Sequence, residues 1–438
     1  MLSFYLVSLG CPKNLADAQV IAGTLLKNGA VWCDSPEDAD CYCVNTCAFL
    51  PEARAEAYAE IARGVEWKRR APGRKLLVSG CLSHYPDQGK KERDFPEVDY
   101  WLGVDDIARL PEILSGLRPV SRTTKYLCNE NTPQLQLTLP HLAYVKIADG
   151  CNNRCSYCAI PNLRGALRSR PADSVVNEVR QLIANQVKEI ILVAQDVTAF
   201  GNDRPNDGEN LARLLGRLDQ LDGDFKIRLL YTHPAHYSEE LFAALGQLHK
   251  ICHYIDLPLQ HISRHLLDAM RRHTTPEQIY EIISRLRGIW PDLTLRTTFI
   301  TGLPGETEAD FAELMHFVRE IKFDRLGVFP YAREPGTPAA DFSDQVPTET
   351  AERRAAAIMR YQLPAMRRRL KKTIGSEISV LIDRKLGRRQ YLGRSDADAP
   401  DIDNVIYLTG NGTPGCRHRV LVTGSYGSDL VGKIIAEH

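Results

Sequence analysis

Apolar positions along this chain fall into two alternating rhythms. Short continuous apolar runs, FYLVSL (4–9), CYCVNT (41–46), KLLVSG (75–80) and VDYWLG (98–103), predict buried strands. Between them NLADAQVIAGTLLKNG (14–29), closed by Gly29, and the stretches near 51–70 and 105–117 have helical spacing. This alternation predicts an open α/β sheet of mostly parallel strands over residues 1–118. A polar, proline-containing linker follows at 119–140.

A second series occupies 141–372. Its predicted strands are LAYVKIAD (142–149), EIILVAQD (189–196), FKIRLLYT (225–232), YIDLPLQ (254–260), LTLRTTFITG (293–302) and DRLGVFPY (324–331). Helical patterns such as 175–186, 276–290 and 308–321 lie between them. Six strand–helix units fit a partial (βα)6 barrel, with function expected at the carboxyl ends of the strands. The units share no sequence, so the repetition is architectural. A basic helix is expected over 349–372. The short β runs after it, separated by Gly, Asp and Pro, predict a small closed β barrel over 373–438.

Composition adds little: 44% hydrophobic, 25% charged and zero formal net charge describe an ordinary globular protein rather than one that coats a polyanion. The start of the chain lacks the pattern of a signal peptide, and no apolar run is long enough for a membrane span, so no membrane association and a cytoplasmic location are expected. In that reducing compartment the twelve cysteines are expected as thiols, metal ligands or catalytic groups rather than disulfides.

Their spacing carries the chemistry. GCNNRCSYCAIP (150–161) puts Cys151, Cys155 and Cys158 on one loop directly after a predicted strand. Three thiolates can hold three irons of a four-iron cluster and leave the fourth iron open. Structural zinc prefers four closed ligands, and no second Cys-x₂-Cys knuckle accompanies this one. Cys11, Cys47 and Cys81 each follow an apolar strand, so in a parallel sheet they gather on one edge. By placement alone they are either a second three-thiol site or three buried thiols. Cys41 and Cys43 alternate along a strand and are expected in the core. Cys33, Cys128, Cys252 and Cys416 have no evident partner.

The loop 150–161 resembles the signature of the radical S-adenosylmethionine superfamily. That resemblance implies an open iron chelating the cofactor, with Tyr157 near its adenine. FITGLPGET (299–307) resembles the strand beside the adenine, which brings in Gly302 and Glu306. Gln195 and Asp196 of AQD, with the polar end of LPLQH (257–261), lie at strand ends where they either reach cofactor or substrate or only support the site from behind, and Arg228 within a strand either pairs with a cofactor carboxylate or serves the structure. No catalytic group beyond the cluster ligands is assigned.

Nearly the whole chain resembles the methylthiotransferase family. The resemblance implies an amino-terminal domain holding an auxiliary cluster on Cys11, Cys47 and Cys81, a central radical domain and a terminal TRAM-type barrel, hence two 4Fe-4S clusters and S-adenosylmethionine. SLGCPKN (8–14), YVKIADGCNNRC (144–155), AQDVTAFG (194–201), DQVPTETAERR (344–354) and RSDADAPDID (394–403) resemble the RimO type. That type attaches a methylthio group to the β-carbon of an aspartate in a small-subunit ribosomal protein. Pro12 and Lys13 favour it over the alternative, a transfer-RNA methylthiotransferase, whose first motif usually reads GCQMN. Residues 16–19 depart from the family pattern, which leaves no role assigned to Gln19. The implied partners are the ribosomal protein, on or off the ribosome, and an external electron donor; the charge of the basic helix at 353–372 suits either contact with ribosomal RNA or a solvated linker helix. Asp396, Asp398, Asp401 and Asp403 form an acidic stretch that suits either a basic protein partner or a solvated loop.

Overall fold

The computed structural model describes residues 2–87, 89–114 and 126–437. The expected boundary at 118 and the first part of the expected linker lie outside the described residues.

The first sheet is fully parallel, in the order Val31–Trp32, Ser3–Ser8, Cys41–Thr46, Lys75–Gly80, Tyr100–Leu102. Both faces are covered, so its strands read as unbroken apolar runs. Cys41 and Cys43 pack with Phe4, Ile21 and Leu77 on the side of the helix Pro12–Lys27. Tyr42 and Val44 face Ile61, Val65 and Trp67 of the helix Pro51–Arg69. The edge strand Val31–Trp32 was not anticipated, since two residues carry no period.

The described part of the expected linker is tied down. Leu135 N–H donates to the Gln19 carbonyl at 2.9 Å, and Leu137 N–H donates to its side-chain Oε1 at 3.1 Å. Gln19 is therefore the anchor of the connection that follows the first sheet.

The second sheet runs in chain order and is parallel throughout: Leu142–Lys146, Glu189–Val193, Lys226–Leu229, Ile251–Asp256, Thr294–Thr301, Arg325–Pro330. It is the expected partial barrel. Its outer face packs against the helices in the largest core; its inner face carries Tyr144, Ile191, Val193, Cys252 and Tyr254. The chain then follows the helix Thr348–Lys372 into a closed barrel made by Glu377–Gly387, Gln390–Arg394, Ile406–Thr409, Asp429–Glu437 and Arg417–Tyr426.

Buried charge joins the two barrels. Glu189, first residue of its strand, accepts from Arg228 at 2.7 Å and from Arg394 of the small barrel at 2.9 Å. Arg394 also holds Asp383 at 2.7 Å, which meets His141 at 3.0 Å. The acidic stretch lies inside this joint. Ala399 and Ile402 pack on the inner face, Asp398 pairs with Arg325, Asp403 accepts from Tyr254 at 2.7 Å and Asp396 pairs with Arg417 at 2.9 Å. Of the four acids only Asp401 is exposed. The stretch is thus neither a free docking edge nor a solvated loop: three of its four acids, Asp396, Asp398 and Asp403, are matched within the chain.

Removing one partner from a buried pair strands the other's charge. Glu189→Gln is expected to lower stability by about 3–5 kcal/mol, read by denaturant unfolding. Acid should do the same. Burial pushes the Glu189 carboxyl up, but Arg394 and Arg228 outweigh it and pull it down to about 2. A depressed carboxylate stabilises fully above its ordinary value of 4.5, and this contribution disappears as pH falls toward about 2. The variant should therefore show a weaker loss of stability over that window than the wild type.

Candidate active site

The three strands Ser3–Ser8, Cys41–Thr46 and Lys75–Gly80 are neighbours, and each delivers its cysteine just past its carboxyl end. Cys11 is the residue capping the helix Pro12–Lys27, with Pro12 in the first turn. Burial pushes its thiol up, yet Lys13, Arg164 and the backbone N–H groups of Asn14 and Lys13 together hold it below the ordinary thiol value. Cys47 is pushed up to about 11 by burial, and Cys81 is raised by burial against the pull of Arg164. Gly10 lets this set converge. It has φ +90°, and a Cβ there would stand 2.5 Å from Cys47 Cβ and 3.0 Å from its Sγ.

The second set sits on the loop after Ala148–Asp149. Cys158 N–H donates to the Cys155 carbonyl at 3.0 Å, and Cys151 N–H to the Gly165 carbonyl at 3.1 Å. Burial pushes Cys151 up to about 11 and Cys158 up to about 12. All twelve cysteines are free, so neither set is drained by disulfides. Each set also has a buried guanidinium on one sulfur: Arg164 Nε lies 3.3 Å from Cys81 Sγ, and Arg272 Nη1 lies 3.6 Å from Cys155 Sγ. Three thiols with a buried cation match an anionic thiolate-held cluster. The donor sets fit the expected groups at both places.

Between the sets lies a cluster that the sequence reading missed. Asp17, Lys146, Asp149 and Arg164 are all buried. Lys146 pairs with Asp17 and, at 3.3 Å, with Asp149; Arg164 Nη1 pairs with Asp17 at 2.9 Å and Asp149 at 3.2 Å. Burial disfavours the charge on Lys146, yet Asp149 and Asp17 raise its affinity for the proton. Burial likewise opposes charge on Asp149, but Lys146 and Arg164 hold it well below the usual carboxylate range. Two cations thus face two carboxylates. Lys and Asp inside the apolar run LAYVKIAD were the available signal, since such residues are buried only when paired. Lys13 adds a second link, its ammonium 3.4 Å from the ring centre of Tyr231.

The other expected residues divide. Tyr157 is beside the cysteine loop: its hydroxyl accepts from Arg272 at 3.3 Å, and its ring packs near Leu266, Met270 and Leu303. Gln195 donates to Asp149 at 3.0 Å and leaves its buried Oε1 without a partner. Asp196 accepts from Asn153 at 2.8 Å, so it touches the loop. Arg228 does not belong with them; its side chain is committed to Glu189 and the Asp396 carbonyl, in the joint between the barrels. Glu306 Oε2 accepts from Gly302 N–H and pairs with Arg354 at 3.3 Å, while its Oε1 is buried without a hydrogen-bond partner. Gly302, φ +75°, lets Ala351 approach; a Cβ would stand 2.2 Å from that methyl. The turn 302–306 is thus bound to the helix Thr348–Lys372, while neighbouring Leu303 faces Tyr157.

A cavity of about 320 Å³ opens beside the loop, lined by Asn152, Asn153, His236 and His273 among others. Asp196, His233 and His236 bring possible ligand atoms within 4.8 Å of one another there. Ala235 N–H donates to His233 Nδ1 at 3.2 Å, which leaves the proton on Nε2 and no lone pair on that ring for a metal. Burial, then Arg272, keeps His233 neutral. His233 Nε2 is buried there without a hydrogen-bond partner.

Two outcomes follow from the site. Gly10→Ala is expected to keep the fold and to force Cys47 away from its neighbours, read as a fall in iron taken up per chain on reconstitution at unchanged circular dichroism. Because Cys47, Cys151 and Cys158 hold their protons at neutral pH, binding iron must release them. Apparent iron affinity, measured by chelator competition, should therefore rise with pH between about 6.5 and 8.5, by up to about tenfold per pH unit for each such thiol.

Comparison with known proteins gives the family of the chain. Residues 145–318 match the Radical SAM superfamily, residues 3–103 match the uncharacterized protein family UPF0004, and residues 374–435 match the TRAM domain. Among solved structures, the radical S-adenosylmethionine methyltransferase TsrM from Kitasatospora setae superposes with TM-score 0.56 at 14% identity, covering 77% of this chain and 76% of that one. OxsB, a cobalamin-dependent S-adenosylmethionine radical enzyme, gives 0.55 at 12%, covering 82% and 56%. These likenesses establish the fold alone. The chain is also similar to the ribosomal protein uS12 methylthiotransferases RimO of Geotalea uraniireducens and Geobacter sulfurreducens, at 42% identity over 98% of both chains in each case. That of Akkermansia muciniphila is 43% identical over 92% of this chain and 93% of the relative. By these matches the chain belongs to the RimO family of ribosomal protein uS12 methylthiotransferases.

Proposed function

We propose that this chain is a radical S-adenosylmethionine methylthiotransferase that adds a methylthio group to the β-carbon of an aspartate in ribosomal protein uS12. The observation that carries the reading is the meeting of two three-cysteine sites across one buried charge cluster, in a chain of this family. One cluster, held by Cys151, Cys155 and Cys158 with S-adenosylmethionine, supplies the one-electron chemistry that breaks an unactivated C–H bond when bound, and a second, held by Cys11, Cys47 and Cys81, supplies the sulfur.

The chain's own residues confine that chemistry. Tyr157 and Arg272 close one side of the radical loop, and Asn153 ties it to Asp196. Gln195, with its unpartnered buried oxygen, stands ready to accept from a bound cofactor. Residues 1–118, 141–372 and 373–438 are proposed as the three working units. An external donor supplies electrons. The exposed Arg360, Arg367, Arg368, Lys371 and Lys372 of the helix Thr348–Lys372 are proposed to rest on ribosomal RNA. No helix among the described residues is long and apolar enough to cross a membrane. A cytoplasmic location follows from the proposed substrate.

Anaerobic incubation of the reconstituted protein with uS12, S-adenosylmethionine, a sulfide source and a reductant should yield uS12 carrying one added methylthio group by mass analysis. A product on transfer RNA and none on uS12 would overturn the substrate. Cys155→Ala is expected to abolish 5′-deoxyadenosine formation. Cys47→Ala should retain uncoupled cofactor cleavage and lose methylthio transfer; transfer by that variant would sink the sulfur-donor role.

A further inference from the structure

Arg164 is a side chain on the radical domain that reaches a cysteine of the other set. It ends the short helix Ile160–Arg164, six residues after Cys158, and its side chain is 1% exposed. Nε donates to Cys81 Sγ at 3.3 Å, Nη1 to Asp17 at 2.9 Å and Asp149 at 3.2 Å, and Nη2 to Asn14 Oδ1 at 3.3 Å. Asp17 and Asn14 lie on the helix that Cys11 caps, and Asp149 lies two residues before Cys151. One guanidinium therefore touches the supports of both cysteine sets.

The direction of the Nε–H bond is informative. Nη1 alone serves both carboxylates, so pairing with the acids does not account for the Nε–H contact to sulfur. A protonated thiol is a weak acceptor, whereas a thiolate carrying cluster charge is a strong one. Hydrogen bonds to ligand sulfur tune the reduction potential of an iron–sulfur centre, because they stabilise its more negative, reduced form. Arg272 makes the corresponding contact to Cys155 from within its own domain; Arg164 makes it across the domain boundary.

We infer that Arg164 is a positioning residue that holds Cys81 for the auxiliary site, raises the potential there, and fixes that site against the radical loop. The inference deepens the function proposed above and rests on its reading of Cys11, Cys47 and Cys81 as cluster ligands.

The test uses the full chain with Cys151, Cys155 and Cys158 replaced by Ala, so that iron reports on the amino-terminal set alone. Iron content and reduction potential, followed by electron paramagnetic resonance, are compared with and without Arg164→Lys and Arg164→Met. The expected result is retained iron and a more negative potential in both variants. Lysine keeps the charge opposite Asp17 and Asp149 but cannot reproduce the Nε–H bond, so Arg164→Lys reads the contact even where Arg164→Met fails to fold. Arg272→Lys should leave this potential in place. Loss of iron from Arg164→Lys at unchanged circular dichroism also supports the assignment, because ligand geometry has then failed. Retained iron with an unshifted potential in Arg164→Lys overturns it. A parent chain that binds no iron overturns the cluster reading itself, and the inference with it.

Discussion

Asp17, Lys146, Asp149 and Arg164 are charged groups removed from water where the first sheet meets the partial barrel. Each ion carries a desolvation cost of several kcal/mol, which only close, complementary partners offset. That requirement makes the cluster a constraint on assembly rather than an ornament of it. Asp17 comes from the helix that Cys11 caps, Lys146 and Asp149 from the strands before the cysteine loop, and Arg164 from the short helix after it. The two domains cannot separate or slide without leaving a charge unmatched, so their cysteine sites are kept in register by the same interaction.

The small barrel is held by the same physics at another place. Glu189, Arg228, Arg394, Asp383 and His141 form a buried chain of pairs, and the stretch from Asp396 to Asp403 fills the inner face of the partial barrel. The acidic residues there are matched by Arg325, Tyr254 and Arg417. This end is closed by packing and ion pairs, while the opposite strand ends lead into the cysteine loop and its cavity. A parallel sheet has this polarity built in, because its strand ends differ chemically: one collects the loops that bind ligands, the other is free to serve stability.

Glycines set the tolerances. Gly10 allows Cys47 to approach the first cysteine, and Gly302 allows the helix Thr348–Lys372 to lie on the strand end beside Tyr157. In both cases a single methyl would collide with atoms less than 3 Å away.

Local pattern determined much of this protein. The runs CYCVNT and KLLVSG are strands at the predicted residues, the six strand–helix units form one parallel sheet, and the last runs close into a barrel, because burial on one or two faces is written directly into apolar spacing. The loop of three thiols was legible because it is local, and the gathering of Cys11, Cys47 and Cys81 on one edge followed from parallel topology, whereas their reading as a ligand set came from the family resemblance. What only the tertiary structure decided are the partners of buried charge. Arg228 carries the same side chain whether it binds a cofactor or an internal ion, and Asp396, Asp398 and Asp403 read as part of an acidic stretch until their partners are placed. Arg164 and Asp17 lie 147 positions apart. Coulomb interaction depends on distance in space, which sequence spacing does not encode, so the pairing that joins the two sites appears only when the chain is folded.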